Sequence, residues 1–510
     1  MAAKIDAETG ETRTYRELAD ESVRCAIWLQ KEGIGPGDII ALCTHNSLAA
    51  WVPYFATFYI GANLTPWFHD WSPDTTRYIV NLTKPKVIFA NEDAGKMLRE
   101  ILREENVESK IIVFGNVPGL ESFDDIIKKQ SADQVDNFQC HPVNPEDDAL
   151  MLFSSGSTCF PKGVQHSYRG LHYNTYRFSN LFKKPDNMVV MYTSPLCWIG
   201  GSLFTVWSIF SIHQVIIVNN LTTENLCRNV EKFKVQFVFS VTELTKKLFN
   251  SYKLMTKFDL SSIKYLIVGG TKLRSEVTKR IKSVLKNAGS DGEIFQSYGL
   301  TESGGVIAIQ RRGHNKYESC GILSFDIQLK IININTKDIL GANQVGEIVI
   351  KQTHMMKFYF KNPKATKEVI DDEGWLHTGD LGYYDLEGNI YILDRLKEVI
   401  KYRRHQIFPI EIESLLIKHP QVLDAVVVPV PHSVDDEHPM AFVVKAKNSD
   451  VSKEELEKLT AVLGDTKQLR GGIVFIEKLP QTPNRKINKM KLKEMAKAYH
   501  DSSSPQSSFV

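Results

Sequence analysis

Amphipathic helices alternate with short apolar strands along the first part of the chain, and this alternation constrains the fold more than any other feature. The segment that begins at Thr14 reads TYRELADESVRCAIWLQKEG, and after Pro36 and Gly37 it is followed by the apolar run IIALC. Glycine and proline end the helix, and the strand that follows has no polar alternation. Two more units of this kind follow over 51–67 and 75–91. Such units predict a largely parallel sheet that is covered by helices on both faces.

The pattern of the chain changes twice after this first part. Further apolar strands are predicted in KFKVQFVFSV and IKYLIVGG, and ligands bind at the carboxyl ends of such strands in α/β sheets. From about Gly321 short strands predict a smaller β-rich unit, and the charged segment after Asp394 leads into an α+β pattern. We therefore predict an α/β protein: a large N-terminal body of doubly wound sheets with a small β-barrel-like unit over residues 1–396, and a mobile α+β C-terminal lobe over residues 397–510.

The charge balance and the cysteines exclude several classes of protein. The chain carries 62 Lys and Arg against 60 Asp and Glu, for a net charge of +2, and the two signs are interleaved. A nearly neutral chain without basic blocks does not predict a nucleic-acid partner. The seven cysteines are scattered and form no C-x-x-C pair, which favours a reducing compartment over a disulfide framework or a zinc motif.

Residues 187–223 contain no charged side chain and could be mistaken for a membrane span. The segment is interrupted by Pro195, Gly200 and Gly201, and its nearly continuous apolar part, 196–212, is shorter than the ~20 residues that a spanning helix needs. We expect a buried helix beside a pocket and no integral membrane span. Because no apolar signal stands near the start and no Ser-Lys-Leu type tripeptide at the end, we expect a cytoplasmic protein and leave a peroxisomal location open.

A turn rich in small hydroxyl residues follows the predicted strand ALMLF. It reads SSGSTCFPKGV, and its N–H groups and hydroxyls can surround a polyphosphate while Lys162 supplies a positive charge. The turn is not a Walker A loop, because G-x-x-x-x-G-K-[ST] is absent. A turn of this composition is more often an ordinary loop, so its function depends on the other motifs of the chain.

The same turn resembles the signature S-S-G-[ST]-T-G-x-P-K-G of the adenylate-forming superfamily, which includes acyl-CoA synthetases, coumarate-CoA ligases and beetle luciferases. Four more motifs of that family follow in the same order: QSYGLTES, GWLHTGDLGYYD, DRLKE and LPQTPNRKI. The resemblance extends over essentially the whole chain. Cys159, Ser297 and Arg485 depart from the family pattern, since each replaces a glycine.

The resemblance implies roles for individual residues. For ATP and AMP binding it implies Ser154, Ser155, Gly156, Ser157, Thr158, Lys162, Gly269, Gly270, Thr271, Tyr298, Gly299, Asp380 and Arg395. Thr301 and Glu302 would place a hydroxyl on a phosphate and a carboxylate on Mg²⁺, an ion that prefers oxygen ligands. Taken singly, each residue has an ordinary alternative, such as a solvated Glu302, an Asx cap at Asp380, a surface ion pair at Arg395 or a structural Tyr298.

The resemblance also implies roles for residues of the C-terminal lobe. Lys486 would hold the substrate carboxylate against the α-phosphate, as a cation that stabilises developing charge. Lys397 would be the hinge about which the lobe rotates, and Lys401 would reach the site in the second orientation. Arg404 stands where the family has a glycine that leaves room for the arm of coenzyme A. This is the largest departure: the guanidinium would either swing out to solvent or obstruct the arm, and obstruction predicts a slowed thioester step.

The acyl site and the reaction follow from the same resemblance. Trp198 and Gly200 would line the acyl pocket, although a buried core tryptophan fits the sequence equally well. The implied reaction joins a fatty or aryl acid to AMP and passes the acyl group to coenzyme A, with ATP, Mg²⁺ and coenzyme A required. A luciferase-like oxygenase and an adenylate binder impaired in thioester formation stay open as alternatives. The sequence leaves the identity of the acid and the oligomeric state open.

Overall fold

The computed structural model describes residues 2–154, 160–181, 187–219, 221–249, 251–403, 405–481 and 487–503. The chain forms two compact units. Unit 1 comprises residues 1–329, 350–376 and 387–390, and unit 2 comprises residues 330–349, 377–386 and 391–510. Unit 2 therefore takes in two segments that precede Lys397, and the mobility of a lobe that begins at Lys397 stays a prediction.

The strands of the described residues range from 2 residues (β7) to 11 residues (β25). In chain order they are β1 (Ala2–Asp6), β2 (Thr12–Thr14), β3 (Ile39–Cys43), β4 (Asn63–Trp67), β5 (Val87–Asn91), β6 (Lys110–Phe114), β7 (Glu121–Ser122), β8 (Asp148–Ser154), β9 (Lys162–Ser167), β10 (Val189–Tyr192), β11 (Gln214–Ile217), β12 (Phe237–Val241), β13 (Tyr265–Gly269), β14 (Glu293–Leu300), β15 (Gly305–Ile309), β16 (Ile322–Leu323), β17 (Ile327–Ile332), β18 (Ile339–Leu340), β19 (Gly346–Gln352), β20 (Phe358–Tyr359), β21 (Leu376–Tyr384), β22 (Ile390–Arg395), β23 (Ile400–Tyr402), β24 (His405–Ile407), β25 (Val422–His432), β26 (Asp436–Lys445) and β27 (Gly472–Phe475).

Unit 1 is built on two large sheets. Nine strands are ordered β16-β15-β14-β13-β12-β10-β11-β1-β2, and eight are ordered β20-β9-β8-β4-β3-β5-β6-β7. The central pairs are parallel, such as β12 with β13 and β3 with β5, whereas β14–β15 and β8–β9 are antiparallel and lie toward the edges. The predicted parallel α/β architecture is confirmed, since apolar strands that alternate with helices can bury both faces of such a sheet.

Amphipathic helices connect these strands. In chain order the helices are α1 (Tyr15–Lys31), α2 (Trp51–Tyr59), α3 (Pro73–Thr83), α4 (Glu92–Glu105), α5 (Phe123–Lys128), α6 (Ala132–Asp136), α7 (Tyr168–Leu181), α8 (Ile199–Phe210), α9 (Thr223–Phe233), α10 (Thr242–Leu248), α11 (Tyr252–Met255), α12 (Ser275–Asn287), α13 (Pro363–Val369), α14 (Pro409–Leu416), α15 (Lys453–Thr460) and α16 (Lys489–Ser503). The first helix shows why they begin where they do: Thr14 and Glu17 form a capping box that pairs two otherwise unsatisfied N–H groups.

Two smaller sheets complete the fold. The strands β18-β17-β19-β21-β22 form the small β unit that the sequence predicts. In unit 2, β24-β23-β26-β25 form a second sheet, and β27 pairs with β26 in parallel. Its long hairpin of β25 and β26 is mostly buried, with Phe442 and Val428 in the core. This sheet and its helices are the α+β pattern expected for the C-terminal part.

The uncharged stretch forms a buried helix, α8, of 12 residues. Most of its side chains are covered, including Phe204 and Trp207. Within the described ranges, no helix is long and apolar enough to cross a membrane.

Candidate functional site

The loop predicted to hold phosphates leaves and re-enters one antiparallel strand pair of unit 1. Ser154 ends β8, Lys162 begins β9, and the two residues are partners across the pair. The sheet therefore holds the two ends of the loop together. Five residues predicted to act in the loop or to depart from the motif lie outside the described residues: Ser155, Gly156, Ser157, Thr158 and Cys159.

One aromatic side chain, Tyr359, connects Lys162 to a carboxylate. The pairing of β20 with β9 places Tyr359 opposite Val164. Nζ of Lys162 lies 4.9 Å from the centroid of the Tyr359 ring, within the range of a cation–π contact. The Tyr359 hydroxyl donates a hydrogen bond of 2.8 Å to Oε1 of Glu302. A cation suited to phosphate and an oxygen ligand suited to a divalent ion are thus organised by one buried side chain.

Hydrogen bonds fix the backbone of the turn that carries Glu302. The N–H of Met356 donates to the carbonyl of Glu302 over 2.9 Å. The side-chain amide of Gln352 donates to the carbonyl of Ser303 and accepts from the buried guanidinium of Arg177. The backbone of the turn is therefore held by the N–H of Met356 and by side chains on α7 and β19.

His166, on β9, lies beside the same turn. It is 2% exposed, and among the described residues its Nε2 has no hydrogen-bond partner. Burial lowers the pKa of His166 to about 4, although the charge of Glu302 and a hydrogen bond with the backbone of Thr301 oppose the shift. The imidazole is neutral at neutral pH as a result, and it supports the Thr301–Glu302 turn as a packed, uncharged group.

The residues predicted to lie against adenine come together at adjoining strand ends. β13, which ends at Gly269, is parallel to β14, which carries Tyr298. Gly269 has no room for a side chain, because an added Cβ would lie 2.8 Å from Oγ of Ser297. Gly270 has φ +99°, a conformation that favours glycine, and directs the chain into Thr271. The departure at Ser297 is thus accommodated by the glycine on the neighbouring strand.

Gly299 is required by a close approach of two strands. An added Cβ would lie 2.3 Å from the carbonyl oxygen of Gly305, on the antiparallel neighbour β15. Tyr298 is 8% exposed, so it also contributes to the core, as its ordinary alternative predicted.

The predicted acyl segment forms the start of α8. Trp198 is the residue before the helix, and its Nε1 is buried without a hydrogen-bond partner in the described part of the chain. At Gly200 an added Cβ would lie 2.9 Å from the ring of Phe239, so the glycine allows that ring to pack on the helix. A small cavity opens beside this segment, with Ser194 and Leu196 among its lining residues.

In unit 2, Asp380 and Arg395 form an ion pair on adjacent strands. Nε of Arg395 lies 2.6 Å from Oδ1 of Asp380. The carboxylate is buried while the Arg395 side chain is 46% exposed. The N–H of Asp380 donates to the hydroxyl of Thr378. Both predicted residues are therefore brought together, with the carboxylate inside the small sheet and not in a helix cap.

The connector beyond Arg395 is held within unit 2 by Lys493 of α16. Nζ of Lys493 lies 3.0 Å from Glu398 and donates to the carbonyl of Lys397 over 3.4 Å. Lys401, on β23, is exposed, and its N–H donates to Glu437 over 2.8 Å. Three further residues predicted to act or to depart from the motif, Arg404, Arg485 and Lys486, lie outside the described residues.

The motifs did not identify Tyr359 or His166. Both lie on strands of the eight-stranded sheet, β20 and β9, whereas Glu302 follows β14 of the nine-stranded sheet. The aromatic run KFYF before Pro363 is a signal of a strand, but it does not indicate a partner.

Family models and known proteins match this chain over most of its length. The family model described as AMP-binding enzyme matches residues 2–360, and the AMP-binding enzyme C-terminal domain matches residues 411–486. The luciferin 4-monooxygenase of Luciola mingrelica is 31% identical over 507 residues, covering 96% of this chain and 91% of that protein. The 4-coumarate--CoA ligase 3 of Oryza sativa subsp. japonica is 30% identical, covering 95% and 87%.

Solved structures share the fold. ATP-bound MatB from Rhodopseudomonas palustris superposes with a TM-score of 0.89 at 21% identity, covering 98% of this chain and 96% of that chain. The luciferase-like enzyme from the nonluminescent Zophobas morio mealworm superposes with a TM-score of 0.70 at 27% identity, covering 77% and 92%.

Proposed function

Because the chain belongs to the family of AMP-binding, adenylate-forming enzymes, we propose that it activates a carboxylic acid with ATP and then transfers the acyl group to coenzyme A. In the first step a carboxylate oxygen bonds to the α-phosphorus of ATP, pyrophosphate leaves and acyl-AMP forms. In the second step the thiol of coenzyme A loses its proton, its sulfur bonds to the acyl carbon, and AMP leaves.

The observation that carries adenylation is the arrangement of Lys162, Tyr359 and Glu302. A polyphosphate needs a cation, and the Mg²⁺ that accompanies it needs oxygen ligands. Glu302, which Tyr359 holds through Oε1, would supply carboxylate oxygen to the ion. Carboxylate oxygen suits Mg²⁺ chemically, and the neutral His166 behind the turn adds no competing positive charge.

Other roles in the proposal rest on the motifs. Asp380 would accept hydrogen bonds from the ribose hydroxyls, with Arg395 beside it for ribose and phosphate. Thr301 would bind a phosphate oxygen, and Lys486 would steady the carboxylate and the α-phosphate. The acid would enter beside Trp198, whose buried indole N–H could then be paired with an acceptor on the acid.

The thioester step is supported by Lys401 and by the similarity to coumarate-CoA ligases. A luciferase-like oxygenase is the second candidate, because luciferin 4-monooxygenases match at the same level of identity over nearly the whole chain. An enzyme that stops at acyl-AMP is the third, since Arg404 replaces the glycine that gives the thiol arm room.

A pyrophosphate-release assay tests the proposal. Fatty acids of several lengths and hydroxylated aryl acids would be supplied with ATP and Mg²⁺, with and without coenzyme A. Luciferin with oxygen would be read for light in parallel. Turnover that depends on an acid and on coenzyme A supports the ligase. Acid-dependent release without a coenzyme A effect supports an enzyme limited to adenylation, and light supports the oxygenase. No acid-dependent release with any acid would refute adenylation.

A further inference from the structure

Two histidines and an aspartate converge at the end of the long hairpin of unit 2. His432 ends β25, and His438 lies in β26. The register pairs His432 with Asp436 and Val430 with His438, so the two histidines are diagonal neighbours on one face of the ladder. Asp435 lies in the short turn between the strands. The sequence HSVDDEH therefore folds so that its two imidazoles and one carboxylate lie on the same side.

The nitrogen and oxygen atoms of these residues are close together. Nε2 of His438 lies 2.8 Å from Oδ2 of Asp435, and Nδ1 of His432 lies 3.6 Å from the same oxygen. One ligand atom from each of the three residues can be chosen so that all lie within 4.8 Å of one another. The two imidazole rings are stacked, with centroids 3.9 Å apart.

We propose that His432, Asp435 and His438 bind a divalent transition-metal ion of the zinc class. Zinc takes imidazole nitrogens and carboxylate oxygens at about 2.0–2.2 Å. Tetrahedral ligands at that distance are separated by roughly 3.3 Å, which the separations of 2.8 Å and 3.6 Å bracket. Two imidazoles favour zinc, copper or nickel over Mg²⁺, whose preferred ligands are oxygens. The site is thus distinct in chemistry from the carboxylate of Glu302.

A hydrogen bond orients the Asp435 carboxylate, as is usual for carboxylates that bind metal ions. Nε of Arg403 donates to Oδ1 of Asp435 over 2.6 Å, which orients the carboxylate and leaves Oδ2 to the ion. Asp435 is 8% exposed, whereas His432 is 31% exposed, so an ion can enter from the side of His432. A water molecule would complete the coordination, as at other sites with three protein ligands.

Binding of an ion would replace two sets of hydrogen bonds, one at His432 and one at His438. Nδ1 of His432 accepts backbone N–H groups of Asp435 and Val434 at 3.1 and 3.4 Å, which are long hydrogen bonds. The hydrogen bond between His438 and Asp435 would also be replaced by two bonds to the ion. The alternative is a purely structural turn, in which a stacked pair of imidazoles packs on the ring of Tyr402.

The experiment is a titration of metal-stripped, full-length protein with Zn²⁺ by calorimetry and with Co²⁺ by visible absorption. We expect one ion per chain, with the intense visible bands of four- or five-coordinate Co²⁺. Replacing either histidine, as His432→Asn or His438→Asn, should weaken binding at least about tenfold, since even residues that only support a ligand matter by that factor. The matched control is His419→Asn, because His419 contacts Glu455 at 3.0 Å and belongs to no cluster of three possible ligands among the described residues; it should bind as the wild type does.

The wild-type Co²⁺ spectrum does not depend on whether a variant folds. Weak bands typical of six oxygen ligands, or binding unchanged in both hairpin variants with native circular dichroism, would overturn the proposal. So would the absence of binding to folded wild-type protein. Mg²⁺ is a negative control, and displacement of Zn²⁺ by Mg²⁺ at equal concentration would also count against the site. None of these readouts requires adenylation, so failure of the proposed function and failure of this site are separable.

Discussion

Each unit of the molecule brings histidine and carboxylate together, but the two neighbourhoods are arranged in opposite ways. In unit 1 the imidazole of His166 is buried, and the Glu302 carboxylate is the partly exposed group. In unit 2 the Asp435 carboxylate is the buried group and the imidazole of His432 is partly exposed. Hydrogen bonds from Arg403 and His438 hold the pKa of Asp435 at about 2, so this carboxylate is charged, whereas His166 is neutral.

The difference shows that proximity alone does not define a site. His166 is too deeply buried to carry charge or to exchange ligands, so it can only shape the turn that presents Glu302. In the hairpin, Nδ1 of His432 and Nε2 of His438 lie 3.6 Å and 2.8 Å from the same oxygen of Asp435, and an entry side remains. In unit 1 only the carboxylate is accessible to a ligand, whereas in unit 2 the partly exposed His432 gives access to the buried carboxylate.

Replacing Glu302 tests the unit 1 side of this comparison most strongly. Glu302→Gln keeps the size of the side chain and its bond with Tyr359 but removes the charge, so pyrophosphate release should fall by about 100-fold to about 1,000-fold, as for other preorganised electrostatic groups. The measurement is acid-dependent pyrophosphate release at saturating ATP and Mg²⁺. Glu455→Gln, an exposed carboxylate of unit 2, serves as the control. A Glu302→Gln enzyme within a few-fold of wild type would break the comparison.

Acidification tests the claim that His166 is a neutral packing group. Its pKa is about 4 in the folded protein, against about 6.5 when unfolded, so the unfolded chain binds more protons between these values. Stability is therefore complete above pH 6.5 and is lost as the pH falls toward 4, by about 3 kcal/mol in all and about 2 kcal/mol by pH 5. Urea unfolding can be followed by tryptophan fluorescence, because all seven tryptophans lie in unit 1.

A variant isolates the contribution of His166 to that loss. His166→Gln should reduce the difference in unfolding free energy between pH 7 and pH 5 by most of this amount. An unaltered difference in the His166 variant would mean that the imidazole is accessible to protons in the folded state, and the contrast with the hairpin would disappear.

Tyr359→Phe should have the smallest effect. The variant keeps the ring beneath Lys162 and removes only the hydroxyl that orients Glu302, so we expect about a tenfold loss, equivalent to about 1.4 kcal/mol, with a higher Mg²⁺ requirement. Tyr173→Phe is matched to it, because the Tyr173 hydroxyl also donates to a carboxylate, Asp326, over 2.8 Å. A shift in Mg²⁺ dependence in the first variant alone would identify Tyr359 as a positioning residue. Equal changes in both would indicate a general loss of stability.

The sequence predicted the elements of the fold better than the contacts of the site. Local periodicity was sufficient to predict α1 and the strands after it. An apolar strand between amphipathic helices can bury its two faces in few arrangements other than a sheet covered by helices. The uncharged stretch was correctly expected to be a buried helix, α8, since its proline and glycines limit its length. The division of the chain between units could not be predicted, because β17 to β22 are short and local patterns do not specify which unit they contact.

At the site, the motifs predicted residues that are adjacent in sequence. They missed residues that come together only in the folded chain. Glu302 follows Thr301 in a motif, but its partner Tyr359 lies on β20, a strand of the other large sheet. His432 and His438 lie too far apart for a helical metal motif, and only the hairpin register brings them together. Register depends on side chains of both strands and on the turn, and no single segment encodes it.

The pairing of Ser154 with Lys162 makes the loop between them more tolerant of substitutions than of insertions or deletions. A replaced residue leaves both ends in register, and Cys159, where the family has glycine, is such a change. An inserted or deleted residue must be absorbed within the turn or else slip β9 against β8, which would turn every side chain of β9 to the opposite face. A slip would remove Lys162 from Tyr359 and His166 from Thr301 at once. Among descendants of this gene, the loop should therefore vary in composition far more often than in length.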